Sequence, residues 1–191
     1  MKTDIILCGV GGQGILSIAT VIGEAATKAG LQLKQAEVHG MSQRGGDVQS
    51  HLRLSTDTIW SDLIPSGGAD LIISMEPMEA LRYLPWLSPS GRIVTASAPL
   101  VNIPDYPDID AIKGELEGLG CATLVDIDAL AREAGAPRSS NMALLGAAAS
   151  RLGIIDPQAL LDAIKTVFSS KGEAIVESNI KAFELGCKHH V

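Results

Sequence analysis

"DIILCGVGGQGILSIATVIGEAATKAG", Asp4 to Gly30, decides the architecture of this chain. It opens on a short continuous apolar run through Val10, the pattern of a strand buried on both faces. Four glycines then fall within the six positions from Gly9 to Gly14. From Gln13 onward, apolar residues recur at Ile15, Ile18, Ala19, Ile22 and Ala26, the spacing of one helix face, and Gly30 supplies a C-terminal cap. Gly9, Gly11 and Gly14 satisfy G-x-G-x-x-G between strand and helix, the context that the dinucleotide fingerprint requires. On that reading Gly9 makes a tight turn, Gly11 admits a ligand, Gly14 packs helix on strand, and the helix N-terminus faces an anion. Glu37 falls near the end of the next strand, where a ribose ligand would stand. The pattern alone leaves a nucleotide site, a structural turn and a partner-binding loop open.

Outward from this unit, strand and helix patterns alternate. Leu31 to Val38 reads as the second strand. "DVQSHLRLS", from Asp47, alternates Val48, Ser50, Leu52 and Leu54 with polar residues, a strand with one wet face, which could hairpin with "DTIWSD" from Asp57 and make the sheet mixed. "ADLIISM" is a buried strand, and "EPMEALRYL" a helix with Pro77 in its first position and Glu79 in its first turn. "GRIVTAS" is a strand, Ala98 to Asp110 with its three prolines a loop, and "CATLVDID" a further strand. Helices are expected at Asn141–Leu152, Pro157–Phe168 and Gly172–Leu185, with Asn141 as an N-cap. The expected fold is α/β: a single doubly wound, mainly parallel sheet with a Rossmann-like glycine turn and a helical C-terminal third, one domain over residues 1–191.

Composition excludes several function classes. The 191 residues suffice for one full core, and 46% hydrophobic against 19% charged residues describes a folding chain. The 15 Lys and Arg against 22 Asp and Glu leave a net charge of -7, and no basic run appears, which argues against nucleic acid. The N-terminal apolar run is too short for a signal-peptide core or a membrane span, so the expectation is a cytoplasmic chain with no membrane partner. Cys8, Cys121 and Cys187 are far apart and odd in number, which gives neither a disulfide framework nor cluster or zinc spacing. No metal site is expected, and Cys8 reads as a small buried residue.

Four segments carry a resemblance: "GVGGQG" at Gly9, "EVHGMSQRGGDVQSHLR" at Glu37, "SDLIPSGGADLIISMEPMEALR" at Ser61 and "NIKAFELG" at Asn179. Together they resemble the gamma-type subunits of 2-oxoacid:ferredoxin oxidoreductases, closest to the indolepyruvate type. Leu100 to Gly120 carries no matching residues. The resemblance implies part of an enzyme that is not active alone. The complex would oxidatively decarboxylate a 2-oxoacid, an arylpyruvate such as indolepyruvate, to an acyl-CoA while reducing ferredoxin. A large alpha subunit would hold the thiamine diphosphate, Mg and 4Fe-4S clusters, coenzyme A would be the acyl acceptor, and this chain would hold no cofactor firmly. A sister pyruvate or branched-chain type is the alternative, and a free-standing NAD-dependent dehydrogenase a further one. Against the last, 191 residues leave no separate substrate domain.

Residue chemistry marks where such a subunit would act. Arg44, flanked by Gln43, Gly45 and Gly46, could clamp a carboxylate or phosphate bidentately, or pair with a carboxylate of its own chain. Arg44 and His39 are the catalytic candidates, and His39 and His51 could exchange protons near neutral pH. Gly9, Gly11, Gly12, Gln13 and Gly14, with Gln43, Arg44, Gly45, Gly46 and Glu76, are the expected cofactor-binding set. Glu76 reads equally as a helix-entry residue, and Lys171 as a phosphate ligand or a solvated lysine.

Overall fold

The computed structural model describes residues 1–39 and 45–189. The elements run β1 (Lys2–Val10), α1 (Ile15–Lys28), β2 (Gln32–His39), β3 (Asp47–Ser55), β4 (Ala69–Ser74), α2 (Pro77–Arg82), β5 (Leu87–Ala96), α3 (Ile109–Gly118), β6 (Ala122–Val125), α4 (Ile127–Glu133), α5 (Ser140–Ala148), α6 (Pro157–Phe168) and α7 (Glu173–Lys188). One six-stranded sheet has the order β2-β3-β1-β4-β5-β6. β1, β4, β5 and β6 pair parallel, and β3 runs antiparallel to both β1 and β2. The glycine turn and the ends of β4 and β5 therefore share one edge of the sheet.

β1 is buried on both faces because alternate side chains enter two cores. Ile5 and Leu7 join a large core with α1, α4, α5, α6 and α7, whereas Ile6 and Cys8 join a smaller one with α2 and α3. α5 is buried from Asn141 through Ala148, since it lies between the sheet and α7. Two glycines permit that packing: a Cβ on Gly146 would stand 2.0 Å from the Phe183 carbonyl oxygen, and one on Gly186 2.0 Å from that of Ala143.

Several expectations are corrected. Residues 57–62 form no strand; β3 instead hairpins with β2 and inserts between β2 and β1. Carbonyls in the segment after β3 are claimed by Arg53, which donates to Ser61 O and Leu63 O at 3.0 Å each. β6 ends at Val125, because Asp126 turns to cap α4 and accepts the Ala129 N–H at 2.9 Å. The loop after β5 stops at Asp108, whose carboxylate caps α3 by accepting from Asp110 and Ala111 N–H. Asn141 lies inside α5, the N-cap being Ser139, and α5 ends at Ala148 before a 3-10 turn over Ala149–Arg151.

Candidate functional site

β1 continues through α1 to β2 on one side of the sheet, while β4 continues through α2 to β5 on the other. Their shared C-terminal edge is the switch point where open α/β sheets place ligands. Here Gln13 closes it. Gln13 Oε1 accepts the Val10 N–H at 2.7 Å and Gln13 Nε2 donates to Met75 O at 3.0 Å, while Met75 N–H donates to Cys8 O at 2.9 Å. One side chain thus ties β1 to the residue that follows β4.

The glycines divide their tasks around this tie. Gly9 leaves room for Gln13, whose Oε1 would lie 2.8 Å from a Cβ there. The Gly11 N–H donates to Gly46 O at 2.8 Å, which binds the turn to the start of β3. Gly14 has φ of 83°, a left-handed conformation that favours glycine. A Cβ there would stand 2.7 Å from Asn141 Nδ2, so the close packing at Gly14 is against α5 and not against a strand. Asn141 Nδ2 in turn donates to Gly14 O at 3.2 Å. Helix α1 opens at Gly14 with no side-chain cap; the Ser17 N–H turns back to Gly14 O at 3.1 Å, and the positive dipole end of the helix is left to face an anion.

That end borders a cleft of about 530 Å³ between the glycine turn, the Gly135–Ser139 connection and α7. Gly12, Gly14 and Ser17 form one wall; Arg138, Lys171 and Asn179 stand on the others. The Lys171 ammonium lies 5.8 Å from the Phe168 ring centre. A smaller space of about 290 Å³ is lined by Val10, Gly11, Gly12, Gly14, Ile15, Leu16 and Val48, so the glycine turn borders both.

The remaining candidates fall elsewhere. Glu76 is fully buried and caps α2: its Oε2 accepts the Glu79 N–H at 2.9 Å and its Oε1 accepts the Tyr106 hydroxyl. Burial and this carboxylate push the Tyr106 phenol well above its usual range. His51 is buried, with Nδ1 accepting the Ile64 N–H at 3.0 Å, and burial followed by the Arg53 charge pulls its pKa down. It is a neutral structural fastener. Gln43, Arg44 and the His39 side chain lie outside the described residues, while Gly45 and Gly46 stand at the hairpin tip beside the turn. Glu37 is two strands away from β1, about 10 Å at ordinary strand spacing, because β3 intervenes. The ribose position of a dinucleotide fold lies next to β1, and Glu37 does not reach it. Sequence reading passed over Ser17, which α1 itself places beside the turn, and Arg138, which no motif marks; Asn179 stood in the "NIKAFELG" segment with no role given to it, and the packing of α5 against α7 brings Arg138 and Asn179 to the turn. Among the described residues no group of three His, Cys, Asp or Glu could hold a metal, and Cys8, Cys121 and Cys187 remain separate thiols. No described helix is long and apolar enough to cross a membrane.

Residues 4–189 match the family "Pyruvate ferredoxin/flavodoxin oxidoreductase". Indolepyruvate oxidoreductase subunit IorB of Pyrococcus horikoshii is 38% identical, over 97% of this chain and 94% of its own. Ketoisovalerate oxidoreductase subunit VorA of Methanothermobacter marburgensis is 27% identical over 94% of this chain but only 35% of its own length. In three dimensions, 2-oxoglutarate:ferredoxin oxidoreductase from Magnetococcus marinus, solved with 2-oxoglutarate, coenzyme A and succinyl-CoA bound, superposes with a TM-score of 0.76. It is 22% identical, over 98% of this chain and 30% of that one, a likeness of fold. On the match across nearly its whole length, the chain belongs to the pyruvate ferredoxin/flavodoxin oxidoreductase family.

Proposed function

We propose that this chain is the cluster-free, gamma-type subunit of an indolepyruvate-type 2-oxoacid:ferredoxin oxidoreductase, and that the cleft bordered by Arg138 and Lys171 receives the phosphates of coenzyme A. The large alpha subunit supplies thiamine diphosphate, Mg and the 4Fe-4S clusters and passes electrons to ferredoxin, as fits a chain whose three cysteines stand apart. The observation that carries the coenzyme A assignment is the uncapped N-terminus of α1, opening into a cleft flanked by Arg138 and Lys171. Backbone N–H groups and two cations form a cradle for phosphate oxygens. Gly12, open on its outer side, lets a thin pantetheine arm cross the turn toward the hairpin tip. The sister pyruvate or branched-chain types would use the cradle in the same way, since the 2-oxoacid is selected in the alpha subunit.

Calorimetric titration of the chain with coenzyme A tests this reading. Saturable binding is expected, weakened at least tenfold in the Arg138→Ala, Lys171→Ala double variant, with no binding of NAD or NADP. Equal affinity of wild type and double variant would remove the cleft from the proposal. Saturable NAD binding lost in Glu37→Ala would replace the subunit reading with a dehydrogenase.

A further inference from the structure

The two sides of the sheet are covered unequally. On one, α2 packs on β1, β4 and β5, and α3 on β6; the helix packed on β2 and β3 is α1, on the opposite side. By register, Arg53, His51 and Gln49 of β3 share the α2 side with Asp4, Ile6 and Cys8 of β1. Among the described residues, this part of β3 is met by the turn after α2, where Trp86 stands edge-on to the His51 ring at 6.3 Å and the Tyr83 hydroxyl donates to Asp47 at 3.3 Å, and by the irregular chain after β3, which is held along its length. Arg53 bonds Ser61 O and Leu63 O, and His51 bonds Ile64 N–H. Ser66 Oγ and Gly67 N–H both donate to Pro85 O, at 2.7 and 2.9 Å. At the upper end, Asn102 Nδ2 donates to Gly45 O at 2.6 Å and draws the segment after β5 onto the hairpin tip.

These fastenings hold apolar side chains outward instead of hiding them. Trp60 is 90% exposed, Leu63 54%, and Val38, opposite Gln49 on β2, 50%. Leu100, Val101 and Ile103, around the Asn102 anchor, are 40%, 64% and 41% exposed. From the Arg53 anchor to the Gly45 anchor is eight residues, a strip of about 27 Å. Tryptophan is among the side chains most enriched where protein interfaces concentrate their binding energy.

We propose that this strip, Trp60 and Leu63 at one end and the Leu100–Ile103 segment at the other, is the face on which the large thiamine-diphosphate- and cluster-bearing subunit docks. The proposal rests on the subunit reading above. VorA carries a match to this chain within a polypeptide about three times as long, and on the subunit reading a separate large subunit takes the place of the rest of it. A second copy of this chain is disfavoured by its net charge of -7. Asp57 and Asp62 flank Trp60 in sequence, so the receiving surface is an apolar pocket rimmed by lysine or arginine.

The test uses the chain co-expressed with the candidate thiamine-diphosphate- and cluster-bearing large subunit of the same organism. Affinity is measured by interferometry with the large subunit immobilised, and hydrogen exchange is followed with and without it. Trp60→Ala with Leu63→Ser, and separately Val101→Asp, should each weaken binding at least tenfold while the isolated variants keep the wild-type melting temperature. Leu119→Asp, an exposed site on another surface, should bind as wild type. In the wild type, residues 57–63 and 98–106 should gain exchange protection on assembly. Wild-type affinity in both strip variants without new protection there would overturn the docking face alone. A wild-type chain that does not bind the large subunit overturns the subunit reading and the occupant with it, and a self-dimer dissociated by Trp60→Ala replaces the occupant by a second copy.

Discussion

Gln13 is the residue whose neighbours are easiest to read and whose own task is hardest. Its glycine company suggests a ligand donor, but both ends of its amide are used inside the chain, on Val10 N–H and Met75 O. Gln13→Leu leaves those two groups without their partner, and urea titration should show a loss of about 2 kcal/mol. At the other end of β1, burial of Asp4 opposes ionisation, but hydrogen bonds from Arg53 and Lys2 outweigh it and hold the carboxyl below its ordinary range. A folded-state value below the unfolded one, about 3.9, means this contribution is complete above about pH 4 and is lost as pH falls through the lower folded value. Unfolding followed at stepped pH should show that acid limb, and Asp4→Asn should flatten it while lowering stability at pH 7. Glu79 works the other way. Burial raises its pKa against the pull of Arg82, so its contribution declines as pH rises through the folded value.

Helix α7 shows how a motif that looks functional can be architectural. "NIKAFELG" places Phe183 and Gly186 on the face that meets α5, where Gly146 answers Gly186 across a backbone-to-backbone contact. Gly186→Ala would drive a methyl into the Ala143 carbonyl, so denaturant unfolding should register a loss of about 1–3 kcal/mol, with the cleft beside α7 disturbed as well. "SHLR" in β3 is also architectural in its His51 and Arg53, which fasten the segment that follows. Periodicity identified α1, α6 and α7 closely, because each has one apolar face. It missed α3 and α4, since a short helix begun by an aspartate cap after a strand or proline loop carries too few turns to show a period. The β3 pairing failed for a different reason: an alternating strand says which face is wet and nothing about which strand lies beside it.

As a whole molecule, the chain is about the length of IorB and about a third of VorA, and on the subunit reading it does not act alone. Purified alone it should be colourless, contain no iron or sulfide, and oxidise no 2-oxoacid; co-purified with the large subunit it should reduce viologen with an arylpyruvate and coenzyme A. Iron analysis and a dye assay on both preparations check this. The sequence by itself determined the strand–turn–helix unit, the α/β class, the mainly parallel sheet and the family, because local periodicity and contiguous motifs are written within a few turns of chain. Only the tertiary structure decided what the glycines face. Inserting β3 beside β1 moved Glu37 out of ribose reach, Gln13 closed the switch-point crevice, and α5 and α7 carried Arg138 and Lys171 to the open end of α1 from more than 120 residues away. Such contacts depend on which element stacks on which, a choice made by burial summed over the whole core and recorded in no single stretch.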